Sequence, residues 1–385
     1  MPTMADVVQQ HGPAYVQQYG TKLLPSHARA MRDIVGCRTA ALGGHLSRCQ
    51  ACGEEHLLYH SCRSRACPRC GRDRARAWVD KQAELLLPVT YFHVVFTLPA
   101  ELRRLVREHQ RALIPVLFRA AYESLAVLCR DSRHLGGDIG ALGVLHTWSR
   151  TLEWHPHVHF LVPGGALSPS GQWFTARRVE GKPGERYLVP VRALSAGFRG
   201  RFLRRARRAL PDGTLPWLPD KPWVAYAKPA LHGARQVLAY LGRYVHRTTL
   251  AERALMHVDE RAVRLRYQDH RDHQRKTMTL SGSEFLRRYL QHVPPRGLHR
   301  VRAFGLLHRS KRATLQRLQL MLKISTNQHQ RPRTRASNPC PRCGGALVTC
   351  SGRLTPARCV VLARQRGEPI PRGPPHPKVA GDSPD

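Results

Sequence analysis

The chain is poor in acid: its 385 residues hold 26 Asp and Glu against 63 Lys and Arg, leaving a formal charge of +37. A small domain stays soluble with a net charge of roughly 2–8. The excess therefore predicts a polyanionic partner, nucleic acid before any other, because each phosphate neutralised by Lys or Arg releases a condensed counterion. No apolar run of about 18 residues stands out and no signal-peptide core follows Met1, so the reading excludes a membrane partner and expects a cytoplasmic, nucleoid-associated bacterial protein. No repeat of fixed period occurs. A Gly-Lys-Ser/Thr phosphate loop is absent as well, which leaves any unwinding of DNA to host replication or helicase machinery.

What is present begins with a core. Hydrophobic residues make up 42% of the chain, enough to exclude wholesale disorder, and the length suits two or three domains. Eleven cysteines include six between Cys37 and Cys70. Without an export signal such clustering reads as metal ligation before disulfides. Cys49 and Cys52, then Cys67 and Cys70, form two C-x2-C pairs separated by 14 residues. This spacing is expected to present four thiolates to one structural Zn²⁺. Cys37, His45, His60 and Cys62 are further zinc candidates, and Cys340 and Cys343, followed by Cys350 and Cys359, suggest a second zinc knuckle near the end.

Periodicity predicts an α+β chain. A helical start is followed by a Cys-rich module, a helix stopped by Pro88, a strand over Tyr91–Leu98 and a long helical stretch bent at Pro115. Strands over Leu142–Trp148 and Leu152–Val162 come next, then helices over 198–210 and 233–246, and from Arg331 a Pro- and Arg-rich tail. Three regions are expected: an N-terminal helix and zinc module over 1–88, a catalytic domain over 89–312, and a basic, partly disordered tail over 313–385.

Two segments carry chemistry. In Trp154-His155-Pro156-His157-Val158-His159-Phe160 the strand alternation puts His155, His157 and His159 on one face and Trp154, Val158 and Phe160 on the other. Three imidazoles backed by an apolar face make a ligand set for a divalent ion. On the helix over 233–246, Gln236, Tyr240 and Tyr244 share a face at i, i+4, i+8. A phenolate there can attack a phosphodiester while a metal polarises the phosphoryl oxygen. Arg201, Arg204, Arg205 and Arg208 on the preceding helix, with Arg243, are the candidate contacts to DNA phosphates.

Taken in order, these pieces resemble the HUH transposases of rolling-circle mobile elements, the insertion-sequence-91 group. The resemblance rests on His60-Ser61-Cys62-Arg63 with Cys67-Pro68-Arg69-Cys70, on Tyr91-Phe92-His93-Val94-Val95-Phe96-Thr97-Leu98-Pro99 and on His146-Thr147-Trp148. It continues through the histidine strand with Val162-Pro163-Gly164-Gly165 and through Tyr240-Leu241-Gly242-Arg243-Tyr244. The family pattern His-hydrophobe-His falls on His157-Val158-His159. The resemblance implies an antiparallel-sheet endonuclease fold that cuts and rejoins single-stranded DNA at element ends. It implies Tyr240 and Tyr244 as nucleophiles forming a 5′-phosphotyrosine, and Mg²⁺ or Mn²⁺ on His157 and His159. For the third ligand it leaves Gln236, His155, His93 and His246 as rivals. A plasmid replication initiator or relaxase of the same chemistry, and a non-catalytic zinc-dependent DNA-binding protein, are the alternatives.

Overall fold

The computed structural model describes residues 1–178, 186–230, 234–246, 250–269, 272, 274–322 and 339–371, with the backbone alone at 71–74, 178, 186, 234, 240, 243, 244 and 246. Its elements run in the order α1 (Met4–Tyr19), α2 (Pro25–Gly36), β1 (Gly44–Cys49), β2 (Glu55–Tyr59), α3 (Gly71–Ala83), β3 (Tyr91–Thr97), α4 (Arg103–Glu108), α5 (Gln110–Arg130), β4 (Gly140–Trp148) and β5 (Trp154–Pro163). Four short strands follow, β6 (Gly165–Leu167), β7 (Trp173–Thr175), β8 (Arg177–Arg178) and β9 (Arg186–Tyr187), then α6 (Val191–Ala209), β10 (Ala225–Pro229) and α7 (Ala234–His246). The chain ends with β11 (Leu255–Val258), β12 (Ala262–Gln268), β13 (Arg275–Ser281), α8 (Gly282–Leu290), β14 (Val301–Gly305), α9 (Arg312–Met321), β15 (Leu347–Thr349) and α10 (Pro356–Gln365). Helices and antiparallel strands are mixed, as the α+β expectation has it.

Two compact units emerge. The first combines Met1–Gly71 and Leu250–Val293 with residues 339–371, and the second combines the described residues of Arg72–Thr249 with those of Pro294–Gln330. This division departs from the three regions read from the sequence. The segment expected as a loose tail splits between the units. Leu315 and Leu318 of α9 are buried in the second, while β15 pairs with β1 and α10 packs on β2 in the first. The physical cause is apolar. Leu347, Cys359 and Ala363 bury against residues of the β1–β2 region, a contact between positions some 300 residues apart that no local pattern announces.

In the first unit α1 is capped by Thr3, whose side chain accepts from the Asp6 amide while the Asp6 carboxylate accepts from the Thr3 amide. Such a cap is worth about 1 kcal/mol. α1 packs on α2 and α8, and β11–β12–β13 form a meander. Ser281 caps α8 through the Glu284 amide, but the Glu284 carboxylate turns to Arg287 and Arg288.

The second unit is built on a five-stranded antiparallel sheet, β10-β3-β5-β4-β14. One face is covered by α5 and α6 and closed by Phe96, Phe118, Val158, Phe160, Val162, Phe198 and Phe202. The long helical stretch expected after the first strand of the sheet is two helices, α4 and α5. The break lies at His109 (φ −111°, ψ 42°), and Pro115 sits inside α5. α5 is long and apolar enough to cross a membrane by length and composition, so the expectation of no apolar run is corrected. Its Leu113, Ile114, Leu117, Phe118 and Leu125 are buried against the sheet, the pattern of a core helix.

Candidate active site and metal centres

The opposite face of the sheet carries the histidines. In β5 the residues alternate as expected, Trp154, Val158 and Phe160 entering the apolar core while His157 and His159 point to the other side. Antiparallel register then places His146 of β4 opposite His157, and Val95 of β3 opposite His159. Cross-strand neighbours share a face, so ring nitrogens of His146, His157 and His159 come within 4.8 Å of one another. The His146 and His159 rings are 3.9 Å apart and His146 and His157 5.2 Å, centroid to centroid.

Their protonation follows from burial. The His157 Nδ1 lies 2.6 Å from the His155 carbonyl oxygen. An oxygen can only accept, so Nδ1 carries the hydrogen and Nε2 keeps its lone pair. His159 Nδ1 is 2.7 Å from His93 Nε2, which makes His93 the outer partner of the group. Burial pulls His157 down to about 4 and His146 and His159 well below the ordinary imidazole range, helped by their mutual proximity. Burial likewise pulls His155 down to about 4. Neutral imidazole is the form that binds a metal. Three such rings converging from two strands fit a divalent ion with coordination positions left over.

The third member of this group is His146. Gln236 is exposed on α7, and the His155 ring stands 5.1 Å from His157 but outside the group. His146 had two signals in the sequence, its place in a strand with alternate faces and the motif His146-Thr147-Trp148; the register that brings it to His157 had none.

α7 lies over this same face. Its Leu238, Leu241 and Val245 share a buried cluster with Tyr91, Val144 and Leu161, which lie two residues from His93, His146 and His159 and so share their face of β3, β4 and β5. Gly242 permits the crossing of α7 over α3. A Cβ there would sit 2.6 Å from Val79 Cγ2 and 3.3 Å from the Ala75 carbonyl. The helix thus carries positions 240 and 244 on the histidine side of the sheet. The side chains of Tyr240, Arg243, Tyr244 and His246 lie outside the described residues.

The cysteines form two groups that cut across the expected one. Cys37, Cys62, Cys67 and Cys70 converge within 4.8 Å, with Cys37–Cys70 at 3.4 Å and Cys62–Cys70 at 3.5 Å between sulfurs. Hydrogen bonding to Cys62 and Cys67 draws the Cys37 thiol down to about 7. Cys49 and Cys52 instead meet Cys340 and Cys343. The expected set of Cys49, Cys52, Cys67 and Cys70 is therefore wrong as a single site. The first pair sits at the tip of the β1–β2 hairpin, whereas the second precedes α3, beyond the other end of β2. Cys37 and Cys62, expected as extras, are full members. His45 and His60 face each other at 5.3 Å and belong to neither group among the described residues. A tetrahedral set of thiolates suits Zn²⁺.

Of the expected phosphate contacts, Arg205 is engaged with Glu123 at 2.5–3.1 Å, and Arg201 donates to the Gly197 carbonyl at 3.2 Å. Arg204 is exposed. Arg208 and Arg205 join Arg119 and Arg302 around a groove of about 310 Å³ on the α5–α6 side of the sheet. Arg302 stacks over Phe118 at 5.1 Å, and burial, then the Arg119 charge, pulls its guanidinium below the usual value. Arg119 and Arg302 lie on different elements with no shared sequence pattern, and the sequence reading missed both.

Two families match the chain. One, described as "Putative transposase", covers residues 140–314, and the other, a transposase zinc-binding domain, covers residues 7–98. The chain is 38% identical to "Putative transposase y4qJ" of Sinorhizobium fredii, over 93% of its own length and 98% of that protein. It is 30% identical to the transposase for insertion sequence element IS801 of Pseudomonas savastanoi pv. phaseolicola, over 71% of its length and 68% of the relative. No solved structure matches it.

Proposed function

The chain belongs to the insertion-sequence-91 family of transposases, and from that premise we propose that it moves DNA by cutting and rejoining single strands through a tyrosine. As a transposase it acts on DNA, and its zinc-binding domain and cysteine clusters support bound Zn²⁺. The observation that carries the finer reading is the meeting, on one sheet face, of His146, His157 and His159 with the helix that bears Tyr240 and Tyr244.

In the reaction, a phenolate of Tyr240 or Tyr244 attacks phosphorus in a single strand. The P–O3′ bond breaks, the 3′ oxygen leaves as a hydroxyl, and the 5′ phosphate stays on the tyrosine. Attack of a 3′-OH on that phosphotyrosine reverses the step and joins strands. The second tyrosine allows another cleavage while the first is occupied. His146, His157 and His159 would hold the divalent ion, with His157 oriented by the His155 carbonyl and His159 by His93. When bound, the ion would polarise the phosphoryl oxygen. Mn²⁺ suits three nitrogen donors better than Mg²⁺, which takes oxygen ligands. Arg208, Arg204 and Arg243 would track phosphates without reading bases. Single strands would come from host replication or helicase activity in the cytoplasm. The plasmid-initiator reading shares the chemistry but not the family.

The test uses purified protein, labelled single-stranded oligonucleotides from the element's ends and Mn²⁺ or Mg²⁺, resolved on a denaturing gel. A metal-dependent DNA–protein band, lost when Tyr240→Phe and Tyr244→Phe are combined, is the expected result. Salt-sensitive binding with no band on any strand would favour the non-catalytic zinc-dependent DNA-binding reading instead.

A further inference from the structure

We infer that Cys49, Cys52, Cys340 and Cys343 hold a zinc ion of their own, which clasps the C-terminal segment to the N-terminal hairpin. The matched zinc-binding domain ends at residue 98, so half of this site lies outside it.

The two halves repeat one local structure. In the first, Cys49 N–H donates to the Glu54 carbonyl and Gly53 N–H to the Cys49 carbonyl, at 2.8 and 3.0 Å. In the second, Cys340 N–H donates to the Gly345 carbonyl and Gly344 N–H to the Cys340 carbonyl, both at 2.8 Å. Each Cys-x2-Cys is followed by a glycine in the left-handed region, Gly53 at φ +72° and Gly344 at φ +76°, which a residue with a side chain rarely adopts. In each the first cysteine is buried and the second exposed. Two such knuckles facing each other are how a chain presents four sulfurs to one ion.

The distances agree. Cys49 and Cys343 sulfurs are 3.4 Å apart, Cys52 and Cys340 3.8 Å, and all four fall within 4.8 Å. With Zn–S bonds near 2.3 Å, the edge of a tetrahedron is about 3.8 Å. The thiolates also have donors aimed at them. Backbone amides of Ala51 and Cys52 point at the Cys49 sulfur and that of Glu54 at Cys52. His56 Nε2 lies 3.2 Å from Cys340 Sγ, placed to give its hydrogen to that sulfur from outside the ligand set. Gly345 completes the fit, since a Cβ there would be 3.0 Å from Cys49 Sγ and 3.3 Å from Cys343 Sγ.

The clasp has a mechanical role. Besides it, residues 339–371 hold to the β1–β2 region through three register positions of β15 on β1, the Gly44–Leu354 bridge, ion pairs of Arg342 with Glu54 and Arg366 with Glu55, and small apolar clusters around Leu347, Cys359 and Ala363. Apolar contacts that small offer little against the entropy of ordering the segment.

The experiment counts zinc and maps thiols in the full chain. Zinc per chain should fall by one when Cys340→Ser and Cys343→Ser are combined, and not at all in Cys350→Ser. In the zinc-loaded wild type, Cys52 and Cys343 should resist alkylation despite their exposure while exposed Cys350 reacts. A chelator should make Cys49, Cys52, Cys340 and Cys343 reactive together. Unchanged zinc content in the double variant, or Cys52 and Cys343 alkylating as fast as Cys350 in the loaded protein, would overturn the assignment. The wild-type thiol map stands if the double variant fails to fold, and neither readout depends on DNA cleavage.

Discussion

His146 and His159 sit on adjacent antiparallel strands with their rings 3.9 Å apart, both buried and both held neutral by that burial. Packing alone gives little reason to bury two imidazoles against each other, whereas a shared ion would. His146→Ala is expected to lower metal-dependent cleavage by about 100-fold or more, since even outer partners of metal ligands are worth about 10–100-fold. His155→Ala, outside the group, should keep most of the activity. Cleavage rates against Mn²⁺ concentration separate the two, and equal losses would show that the third ligand is misassigned.

Gly242 tests the seating of the tyrosine helix. Gly242→Ala drives a Cβ to 2.6 Å from Val79 Cγ2 and 3.2 Å from Trp78 Cε3, so α7 must shift against α3. A loss of about 1–3 kcal/mol is expected, together with a drop in adduct yield. Gly200→Ala in α6 meets nothing within 4 Å and should stabilise by up to about 1 kcal/mol. Urea unfolding of the two variants checks the contrast.

The arginine groove on the α5–α6 side predicts a salt effect. Arg119→Gln and Arg302→Gln should each weaken single-stranded DNA binding and flatten the slope of log K against log salt, by about 0.7 for each phosphate no longer neutralised. Arg133→Gln, whose guanidinium is engaged with Asp131, should leave the slope unchanged. Fluorescence anisotropy over a salt series measures both.

Zinc removal should act locally. The segment from Cys37 to Cys70 buries few apolar residues, among them Leu57, and relies on its sulfurs, whereas the five-stranded sheet has a large aromatic core of its own. Chelation is therefore expected to strip hydrogen-exchange protection from peptides over 37–70 and leave it in peptides over 140–163. Uniform loss across both would contradict this.

Much of this was legible in the residues. The alternation of β5 declared which face holds His157 and His159, and the apolar spacing of α7 declared a helix with a buried side. What stayed hidden depends on which strands meet. Nothing local tells that His146 lies opposite His157, or that Cys340 lies beside Cys52 across nearly 290 residues. The C-x2-C spacing was correctly read as metal ligation, but it pairs cysteines only within a knuckle; the choice of partner knuckle belongs to tertiary structure. Arg205 was read as a DNA contact from its helix alone, and Glu123 on α5 engages it.

Adduct chemistry tests most directly whether a tyrosine of α7 carries the DNA. Adduct formed with Mn²⁺ would be digested with nuclease and trypsin and its peptides weighed. Cleavage after Arg235, Arg243 and Arg247 places the two tyrosines on separate peptides, Gln236–Arg243 with Tyr240 and Tyr244–Arg247 with Tyr244. A nucleotide mass is expected on one or both of these peptides, and its loss from each when that tyrosine is replaced by Phe. A nucleotide on any other peptide, or on none although strands are cut, would contradict this.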